Sequence, residues 1–510
     1  MGITARGAWE SVKYNFQTLG MDIQNKDFTV VGIGDMAGDV FGNGMLLSPY
    51  IKLLAAFNHI HIFIDPSPDR LKSFAERQRL FNLPRSTWAD YNSQLISSGG
   101  GVYPRSAKSI QLSSQVKSLL DVDTDRLSPD ELIRMLLMAP VDLLWNGGIG
   151  TYVKADDELN MDVGDKANDM LRINSSQLNC RVIGEGGNLG FTQRARIDFA
   201  QKQGRINADW IDNSGGVDCS DREVNIKILL NKLILDGVIS LQQRSRLLRR
   251  MTDNVAESVL QDNYRQVRAI GVMEIESIFR PGWYALLIDH LEKTGGFSRE
   301  FEYIPDQGTI DKRKALHQGF CQPEIASLLA HTKAIVCDQI LDSDLPDDPY
   351  LTGMLIRYFP AQLQKKYSGM IDGHPLRREI VATVLVNSMV NRAGITFAHR
   401  LSDETGASLA VICKAFLVAR DVFDIHGLWE EIDKLDHKVP VKCQAELIFE
   451  TQHLLRHASR WFIKNDKYLD EVTETVKHFS SGIKPLRMLL RKVLTGNERK
   501  IINKKIRRYR

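Results

Sequence analysis

The chain has 510 residues, of which 43% are apolar and 25% are charged, and its formal net charge is +3. This length and composition predict a soluble protein with two or more domains and substantial cores. The six cysteines are widely spaced, without CxxC or histidine clustering, so neither a disulfide framework nor a metal site is predicted. The sequence lacks a signal-peptide pattern, an apolar run of membrane-spanning length and a GKS/T phosphate loop. We therefore expect a cytoplasmic protein without a membrane partner.

The first informative element is an apolar strand over Phe28 to Val31, which a glycine-rich segment follows. This segment has the pattern Gly32-x-Gly34-x-x-Ala37, which opens the first helix of a dinucleotide-binding βαβ unit. Gly32 makes the tight turn, Gly34 lets backbone amides approach a pyrophosphate, and the small Ala37 allows close packing of helix and strand. The amino terminus of the helix then faces the anion. Alone, the pattern also fits a glycine-rich loop without a ligand. The segments that follow it along the chain distinguish the two interpretations.

A second strand is predicted over Ile60 to Ile64, and Asp65 follows it directly. A carboxylate at the tip of this strand accepts hydrogen bonds from a ribose diol and repels a 2′-phosphate, so Asp65 predicts a preference for NAD over NADP. Asp65 lies further from Gly38 than the usual interval of about 20 residues, which requires a long helix over Met45 to Phe57 or a loop after it. The alternative is that Asp65 is a turn residue before Pro66.

Three further junctions between a strand and a loop follow along the chain. They are Val141–Trp145 before Asn146, Gly147 and Gly148, then Arg181–Ile183 before Gly184–Gly190, and a short strand Asp209–Asp212 before Asn213–Val217. Together with the first strand they place glycines and small polar residues on the carboxyl side of an open parallel sheet. Ligands bind at that edge in such sheets, so the sequence predicts a site there.

The junction at 208–220, with the sequence ADWIDNSGGVDCS, carries the strongest signal. Gly215 and Gly216 remove two side chains in succession, which lets backbone approach a ligand closely and permits a positive φ. Asn213, Ser214 and Ser220 leave short polar groups beside that opening. Such a segment on its own is most often only a turn, but the glycine motif upstream favours a binding site.

From about residue 225 the pattern becomes helical. Ser240 and Gln243 form a capping-box signature, and a helix is predicted to start at Pro375 and to end before Gly394. Stripes of leucine, isoleucine and methionine on these segments predict a core. Long amphipathic helices without a catalytic constellation predict an architectural or oligomerising role.

The last fifteen residues, 496–510, contain seven basic residues and one acidic residue. Charge runs of this kind are usually disordered, and we interpret this tail as a solvated, disordered end. A tail that attracts RNA or a membrane surface, and the product of a shifted reading frame, are the alternatives. Without the tail the chain has no net positive charge, so specific nucleic-acid binding is not predicted.

Several motifs resemble the glutamate dehydrogenases, most closely the large NAD-specific class. The matching segments are ITARGAWESVK from residue 3, DLLWNGGIGTYVKA from residue 142, GEGGNLGFT at 184–192, ADWIDNSGGVDCS at 208–220 and GVDCSDREVNIKILLN from residue 216. The resemblance extends to about residue 490. It implies an α/β Rossmann-like coenzyme domain followed by a mostly α-helical carboxyl-terminal domain. The expected parts are a first helix at 1–24, the NAD-binding domain at 25–225, the helical domain at 226–495 and the tail at 496–510.

The resemblance also implies roles for individual residues. Thr4 would contact the nicotinamide amide, and Asn213 would lie beside the nicotinamide and the α-carbon of the substrate. Ser220 would bind the γ-carboxylate of glutamate. Asn188 would line the coenzyme side of the cleft, and the segment from Asn146 to Gly148 would border the nicotinamide ribose.

The chain departs from the family pattern at three points. Asp212 replaces a small residue before the key asparagine, and Gly190 replaces the proline of its loop. Oxidative deamination also needs a lysine of lowered pKa and a carboxylate that transfer protons. In this family those groups belong to a substrate domain upstream of the Thr-x-Arg-Gly helix, at which this chain begins. Lys108 is the nearest analogue, and we interpret it as a solvated loop lysine.

The resemblance therefore implies NAD-dependent oxidative deamination of L-glutamate to 2-oxoglutarate and ammonia, in glutamate catabolism. The chain would be the coenzyme-binding part of a larger, homo-oligomeric enzyme, with a separately encoded amino-terminal part as a candidate partner. The alternative is a non-catalytic NAD-binding or assembly fragment from a split or truncated gene. An adjacent upstream reading frame that encodes the lysine motif would favour the enzyme.

Overall fold

The computed structural model describes residues 2–493 and residue 496. The interpretation of residues 496–510 as a disordered tail therefore lies, apart from Gly496, outside the described residues. The strands are β1 (Phe28–Ile33), β2 (Ile51–Phe57), β3 (His61–Ile64), β4 (Gly101–Pro104), β5 (Ile110–Gln111), β6 (Arg126–Leu127), β7 (Leu143–Asn146), β8 (Val153–Lys154), β9 (Ile173–Asn174) and β10 (Val182–Glu185).

The helices fall into two groups along the chain. Those before residue 236 are α1 (Ile3–Thr18), α2 (Asp39–Gly44), α3 (Arg70–Asn82), α4 (Ser114–Leu120), α5 (Pro129–Leu137), α6 (Asn160–Val163), α7 (Gln193–Gln201), α8 (Asp209–Asp212) and α9 (Ser214–Leu235). Those that follow are α10 (Leu241–Phe279), α11 (Pro281–Thr294), α12 (Gln307–Ala315), α13 (Gln322–Leu341), α14 (Thr352–Tyr358), α15 (Ala361–Asp372), α16 (Arg377–Ala393), α17 (Phe397–Thr405), α18 (Leu409–Val422), α19 (Ile425–Asp433), α20 (Val441–Lys464) and α21 (Val472–Val493).

Six strands form one mixed sheet in the order β10-β7-β1-β2-β3-β4. The first four run parallel, whereas β3 is antiparallel to β2 and β4 is antiparallel to β3. The chain leaves β1 for β2 on one side and later reaches β7 on the other side. The strand order therefore reverses between β1 and β7, and loops that diverge at such a point leave a crevice at the carboxyl ends of the strands.

Helices cover both faces of the parallel strands. On one face α1 packs Trp9 against Phe28 and against Trp145, with ring centroids 5.7 Å apart in the second pair. On the other face, α5 and α7 contribute buried side chains such as Leu132 and Ala195. Because both faces are covered, β1 is an almost continuous apolar run rather than an alternating one.

The segment between the glycine motif and Asp65 differs from the predicted long helix over Met45 to Phe57. α2 spans only Asp39–Gly44, and Ile51–Phe57 forms β2, parallel to β1. A short apolar run fits a buried strand as well as a buried helix, which explains the wrong prediction. The predicted strand at Ile60–Ile64 exists as β3, but it runs antiparallel and ends at the opposite edge of the sheet.

The predicted packing role of Ala37 is also wrong, because this residue is exposed. The close contacts are made instead by Gly32 and Gly42. A Cβ atom on Gly32 would overlap the ring of Phe41, and one on Gly42 would overlap the carbonyl oxygen of Met36. The glycine motif therefore shapes the turn into α2 through different positions from those predicted.

Asp209–Asp212 forms the short helix α8 rather than the predicted strand, and α9 begins directly after it. The two aspartates lie three residues apart, so a helical turn places both on the side that faces the end of β10. α9 is continuous to Leu235. The predicted domain boundary at 225/226 therefore falls inside a helix.

The described chain after residue 225 contains helices and no strand, as predicted for this region. α10 has 39 residues and begins with the predicted capping box, in which Gln243 N donates to Ser240 Oγ at 3.2 Å and Ser240 N donates to Gln243 Oε1 at 2.8 Å. The helix predicted from Pro375 begins at Arg377 and ends at Ala393, before Gly394. Packing against α1, α9, α13 and α16 makes α10 the central helix of this part.

Within residues 2–493 we find no single helix with the length and apolar character that crossing a membrane requires. α16 and α17 meet those criteria only as a pair, and the pair is bent by 88°.

α1 crosses α10 at Gly271, where a Cβ atom would overlap the buried ring of Tyr14. We expect Gly271→Ala to lower the free energy of unfolding by about 1–3 kcal/mol, because the overlap forces the two helices apart. Gly369→Ala, within α15, is the matched control, because a Cβ atom there meets no neighbour within 4 Å. That variant should gain about 0.5–1 kcal/mol from the helix propensity of alanine. Urea unfolding measures the free energy of unfolding of both variants. Equal changes in the two variants would contradict the close packing of α1 against α10 at Gly271.

Candidate functional site

The loops after β1, β7 and β10 meet at the carboxyl edge of the sheet. Gly147 N donates to Ile33 O at 2.9 Å, and Gly187 N donates to Asn146 O at 2.9 Å, so backbone pairing continues beyond the strands. A Cβ atom on Gly187 would overlap the carbonyl oxygen of Gly148. The glycines of these two loops therefore allow a close backbone layer beside the crevice between β1 and β7.

Asn146 is fully buried and connects two of these loops. Its Oδ1 accepts a hydrogen bond from Gly148 N at 3.4 Å, and its Nδ2 donates to Gly187 O at 3.5 Å. A Cβ atom on Gly190 would overlap this amide, which explains why a glycine occupies the position where the family pattern has proline. Asn146 supports the edge of the crevice from inside, while the half-exposed backbone of Gly147 and Gly148 forms its surface.

Asn188 and Asn213 come from different loops and are in direct contact. Nδ2 of Asn213 donates a hydrogen bond to Oδ1 of Asn188. Asn188 is exposed and Asn213 is half-buried, so both amides lie at the surface of the crevice. The structure thus brings together two side chains that were predicted separately from the sequence.

The first turn of α1 lies directly against the first turn of α9. A Cβ atom on Gly216 would be 2.7 Å from Thr4 Oγ1, and one on Gly215 would be 3.0 Å from Asn263 Oδ1 and 3.1 Å from Ile3 O. Neither glycine has a positive φ, so that part of the prediction is wrong. The predicted close approach exists, but it is an approach of two helices, and it places Thr4 beside the segment that carries Asn213.

Ser220 lies two turns further along α9, on the same side of the helix as Asn213. The side chain is exposed, and its Oγ donates to Gly216 O at 3.1 Å. This bond lies within the helix and holds no other element. Ser220 is therefore free to bind a group that covers this face of α9.

Asp35 lies in the glycine-rich loop and was not identified from the sequence. Its Oδ1 accepts hydrogen bonds from Ala37 N and Gly38 N, each at 3.0 Å, and its Oδ2 accepts one from Asn58 Nδ2 at 2.6 Å. Asn58 directly follows β2. A carboxylate therefore does lie at the carboxyl end of the second parallel strand, but the loop after β1 supplies it.

The predicted position of Asp65 beside this loop is wrong. Because β3 runs antiparallel to β2, its end lies at the opposite edge of the sheet. Asp65 is fully buried there, and its Oδ1 accepts hydrogen bonds from the backbone N and the hydroxyl of Ser97. Burial raises the pKa of this carboxyl group. The contacts are those of a structural turn residue, which was the alternative interpretation of the Asp-Pro pair.

One guanidinium and three carboxyl groups are buried together beneath the loop after β10. Arg196 of α7 donates to Glu185 through Nε at 2.6 Å and through Nη2 at 3.1 Å, and its Nη2 lies 3.2 Å from Asp209 Oδ1. Asp212 Oδ2 accepts a hydrogen bond from Glu185 N at 2.9 Å. Two carboxyl groups therefore pair with one guanidinium in a buried site, and the third, Asp212, lies beside them, so full ionisation of all three would leave uncompensated charge there.

This cluster holds the loop that carries Asn188. Asp209 Oδ2 accepts a hydrogen bond from Leu189 N at 2.7 Å, and Leu189 has a φ of 58°, a conformation that costs about 1–2 kcal/mol for a residue with a side chain. Asp212 binds the other end of the loop at Glu185. The sequence showed Asp212 only as a departure from the family pattern. The sequence analysis did not identify Glu185, Arg196 and Asp209 as its partners. A charged residue next to an apolar run that is predicted to be buried is a sequence signal for such a buried ion pair.

The protonation of the cluster follows from its burial. Burial raises the pKa of Glu185 to about 7, although the Arg196 charge opposes this. Burial also raises the pKa of Asp212 well above its ordinary value, and the nearby carboxylates Glu185 and Asp209 act in the same direction. Asp212 takes part in none of the ion pairs of the described residues. It is therefore the carboxyl group of the cluster whose ionisation is least compensated by a positive charge.

We expect Asp212→Asn to preserve the hydrogen bond from Glu185 N and to make stability less dependent on pH. A carboxyl group whose pKa is raised on folding stabilises the folded state below its unfolded pKa, and this contribution is lost as the pH rises towards the folded pKa. The variant should therefore gain stability relative to the wild-type chain as the pH rises above about 4. Urea unfolding of both proteins at several pH values between 5 and 8 measures the difference. A difference that is constant with pH would show that Asp212 is ionised in the folded state.

Two family models match this chain. Residues 1–273 match the model described as bacterial NAD-glutamate dehydrogenase, catalytic domain. Residues 317–510 match the model described as glutamate dehydrogenase, C-terminal. The first match includes the whole sheet and every residue of the crevice described above.

Three relatives are proteins named NAD-specific glutamate dehydrogenase. Those of Halomonas elongata, Pseudomonas aeruginosa and Mycobacterium tuberculosis are 49%, 47% and 44% identical to this chain over 498, 509 and 510 residues. The alignments cover 98%, 100% and 99% of this chain. The chain spans 31% of the length of each relative.

Proposed function

Because the chain belongs to the bacterial NAD-glutamate dehydrogenase family, we propose that it is the coenzyme-binding part of an enzyme that oxidatively deaminates L-glutamate. The products are 2-oxoglutarate and ammonia, and NAD is the coenzyme. The observation that carries this proposal is the contact between Asn188 and Asn213 at the carboxyl edge of the sheet. Two segments that match the family motifs, 25 residues apart, meet there with Thr4 nearby.

The chemistry of the crevice fits NAD. The four parallel strands and the reversal of strand order between β1 and β7 support a Rossmann-like coenzyme domain. The amides of Asn188 and Asn213 and the hydroxyl of Thr4 can both donate and accept hydrogen bonds, as the carboxamide of a nicotinamide requires. The backbone of Gly147 and Gly148 leaves room for a ribose. Bound NAD would accept the hydride from the substrate.

The rim of the crevice is apolar and uncovered. Ile149, Leu189 and Val217 are 96%, 66% and 64% exposed, and they follow β7, follow β10 and lie on α9, respectively. Exposed apolar side chains around a cleft are typical of a surface that another domain covers. We propose that the substrate domain of the complete enzyme closes here and brings glutamate next to Asn213 and Ser220.

We propose that this covering part also supplies the lysine and the carboxylate that transfer protons. Lys108 is exposed in the loop between β4 and β5, at the far side of the sheet. Lys154 donates a hydrogen bond to Ala155 O at 3.3 Å. Neither geometry provides a desolvated amine beside Asn213. Cytoplasmic localisation and homo-oligomeric assembly through the helical part belong to the same proposal, and the composition and the long helices support them.

NADH binding to the purified chain tests the proposal. We expect the fluorescence of NADH to report saturable binding that Asn213→Ala weakens and that the control Asn82→Ala, at the exposed end of α3, leaves unchanged. Glutamate should not reduce NAD until the upstream part is added, because general acid–base groups contribute about 10²–10⁴-fold. Absence of coenzyme binding would favour an assembly fragment. NADH production from glutamate by the pure chain would direct attention to Lys108 and Lys154.

We expect Asp35, rather than Asp65, to set the preference for NAD over NADP. Asp35→Asn keeps an acceptor for Ala37 N and Gly38 N but removes the negative charge at the end of β2. The ratio of the two affinities should fall about tenfold or more, since a hydrogen bond to a charged group is worth about 1.5–3 kcal/mol. Asp65→Asn should leave the ratio unchanged. Calorimetric titration with NAD and with NADP measures the two affinities. An unchanged ratio in Asp35→Asn would contradict the role of Asp35 in coenzyme preference.

We expect Ser220→Ala to raise the KM for glutamate about tenfold or more in an enzyme that contains this chain and its upstream part, because a hydrogen bond to the γ-carboxylate is lost. The thermal midpoint should stay the same, since the hydroxyl contacts only Gly216 O. Ser214→Ala provides the contrast. Its Oγ accepts a hydrogen bond from Asn263 Nδ2 at 2.9 Å, so this variant should lose stability. If Ser220→Ala lowers the thermal midpoint and leaves KM unchanged, Ser220 has a structural role only.

A further inference from the structure

A second cleft lies in the helical part, where the end of α10 meets the start of α17 and the middle of α20. Its polar lining consists of Glu276, Arg280, Thr396, Arg400, Gln452, His453 and Arg456. Three of these side chains are guanidiniums and one is a carboxylate. The cleft lies outside the crevice at the sheet, and the proposed function gives it no role.

Arg400 is the central group of this cleft. Its side chain is 14% exposed, and its nearest carboxylate oxygen, Glu404 Oε1, is 3.9 Å away. The guanidinium makes none of the hydrogen bonds found among the described side chains, although it has five N–H donors. Burial and the neighbouring Arg456 charge lower the pKa of Arg400 to about 10. An enclosed guanidinium without a hydrogen-bonded acceptor indicates a place for an anion.

The two nearby carboxylates are already engaged. Glu404 Oε1 accepts from Arg456 at 3.1 Å, and Glu404 Oε2 lies 3.7 Å from Arg460. Glu276 Oε2 accepts a hydrogen bond from Tyr284 Oη at 3.1 Å, and Glu276 Oε1 lies 3.7 Å from Nη1 of Arg280. The arginines around the cleft therefore outnumber the carboxylates that could neutralise them.

Trp283 orients two of the arginines. The guanidinium carbon of Arg400 lies 3.2 Å from the centroid of the Trp283 ring, and that of Arg280 lies 4.1 Å from it. An arginine that stacks on an aromatic face keeps the N–H groups at its edge available for a planar or tetrahedral oxyanion. Distances this short to one centroid place Arg280 and Arg400 on opposite faces of the indole, which fixes both guanidiniums beside the cleft.

We propose that this cleft binds a small dianion, a phosphate or a dicarboxylate, between Arg400, Arg280 and Arg456. The cavity volume of about 20 Å³ holds one or two oxygen atoms of such an ion. The other atoms of the ion would lie at the solvent-exposed entrance of the cleft. The space is too small for a nucleotide. The bound ion would join α10, α17 and α20 by neutralising the charges that their arginines bring together.

Calorimetric titration of the 510-residue chain with inorganic phosphate at pH 8 tests the proposal, with sodium chloride adjusted to constant ionic strength. We expect one saturable site whose affinity falls about tenfold or more in Arg400→Gln, since a hydrogen bond between charged groups is lost. Arg249→Gln is the matched control, because Arg249 lies on α10 about 45 Å from Arg280. It should bind phosphate as the wild-type chain does. Arg280→Gln, at a more exposed position, carries the same expectation if Arg400→Gln does not fold.

A parallel titration with succinate distinguishes the two classes of dianion. Saturable binding of either ion that requires Arg400 or Arg280 supports the proposal and identifies the class. Absence of saturable binding for both ions overturns it. Equal loss of binding in Arg249→Gln also overturns it, because the effect would then follow from net charge and not from the cleft.

Discussion

The crevice at the sheet depends on the buried ion cluster of Glu185, Arg196, Asp209 and Asp212. Burying one guanidinium with three carboxyl groups costs desolvation energy, which only close geometry and additional hydrogen bonds offset. Here two of the additional bonds go to backbone amides of the loop that carries Asn188. The hydrogen bonds from the cluster therefore stabilise one conformation of this loop, including the unfavourable φ of Leu189. In this conformation the side chain of Asn188 lies close enough to Asn213 to accept its hydrogen bond.

A second constraint connects the crevice to the helical part. Gly215, Gly216 and Gly271 let α1 approach α9 and α10 more closely than any larger residue would permit. Asn263 of α10 donates to Ser214 Oγ within this contact. The surface that carries Thr4 and Asn213 is thus built jointly by the first helix of the chain and by the long helix of the later part. The helical region therefore supports the crevice at the sheet through direct contacts with α1 and α9.

The uncovered rim of the crevice and the length of the relatives point in the same direction. Exposed apolar residues on two loops and one helix surround the crevice at Ile149, Leu189 and Val217. The relatives are about three times as long as this chain. Both observations support the proposal that another surface covers this crevice, and Ser220 and Val217 on the exposed side of α9 would face it.

The sequence by itself determined the local elements and the grouping of the site. Apolar runs predicted β1, β7 and β10, and the capping box predicted the start of α10, because these features depend on neighbouring residues. The rule that ligands bind at the carboxyl edge of a parallel sheet predicted that the loops around Gly147 and Asn188 would lie together. Asn213 also lies there, but it follows the helix α8 and not the predicted strand.

Only the tertiary structure decided the direction of β3, the helical form of Asp209–Asp212 and the partners of Arg196. Residues 58–60 are too short a connection for a parallel crossover, so β3 is antiparallel once Ile51–Phe57 is a strand and not a helix. This direction moved Asp65 away from the glycine loop and left Asp35 at the end of β2. A buried charge can be matched to its partner only when residues distant in the chain are in contact, and sequence spacing does not contain that information.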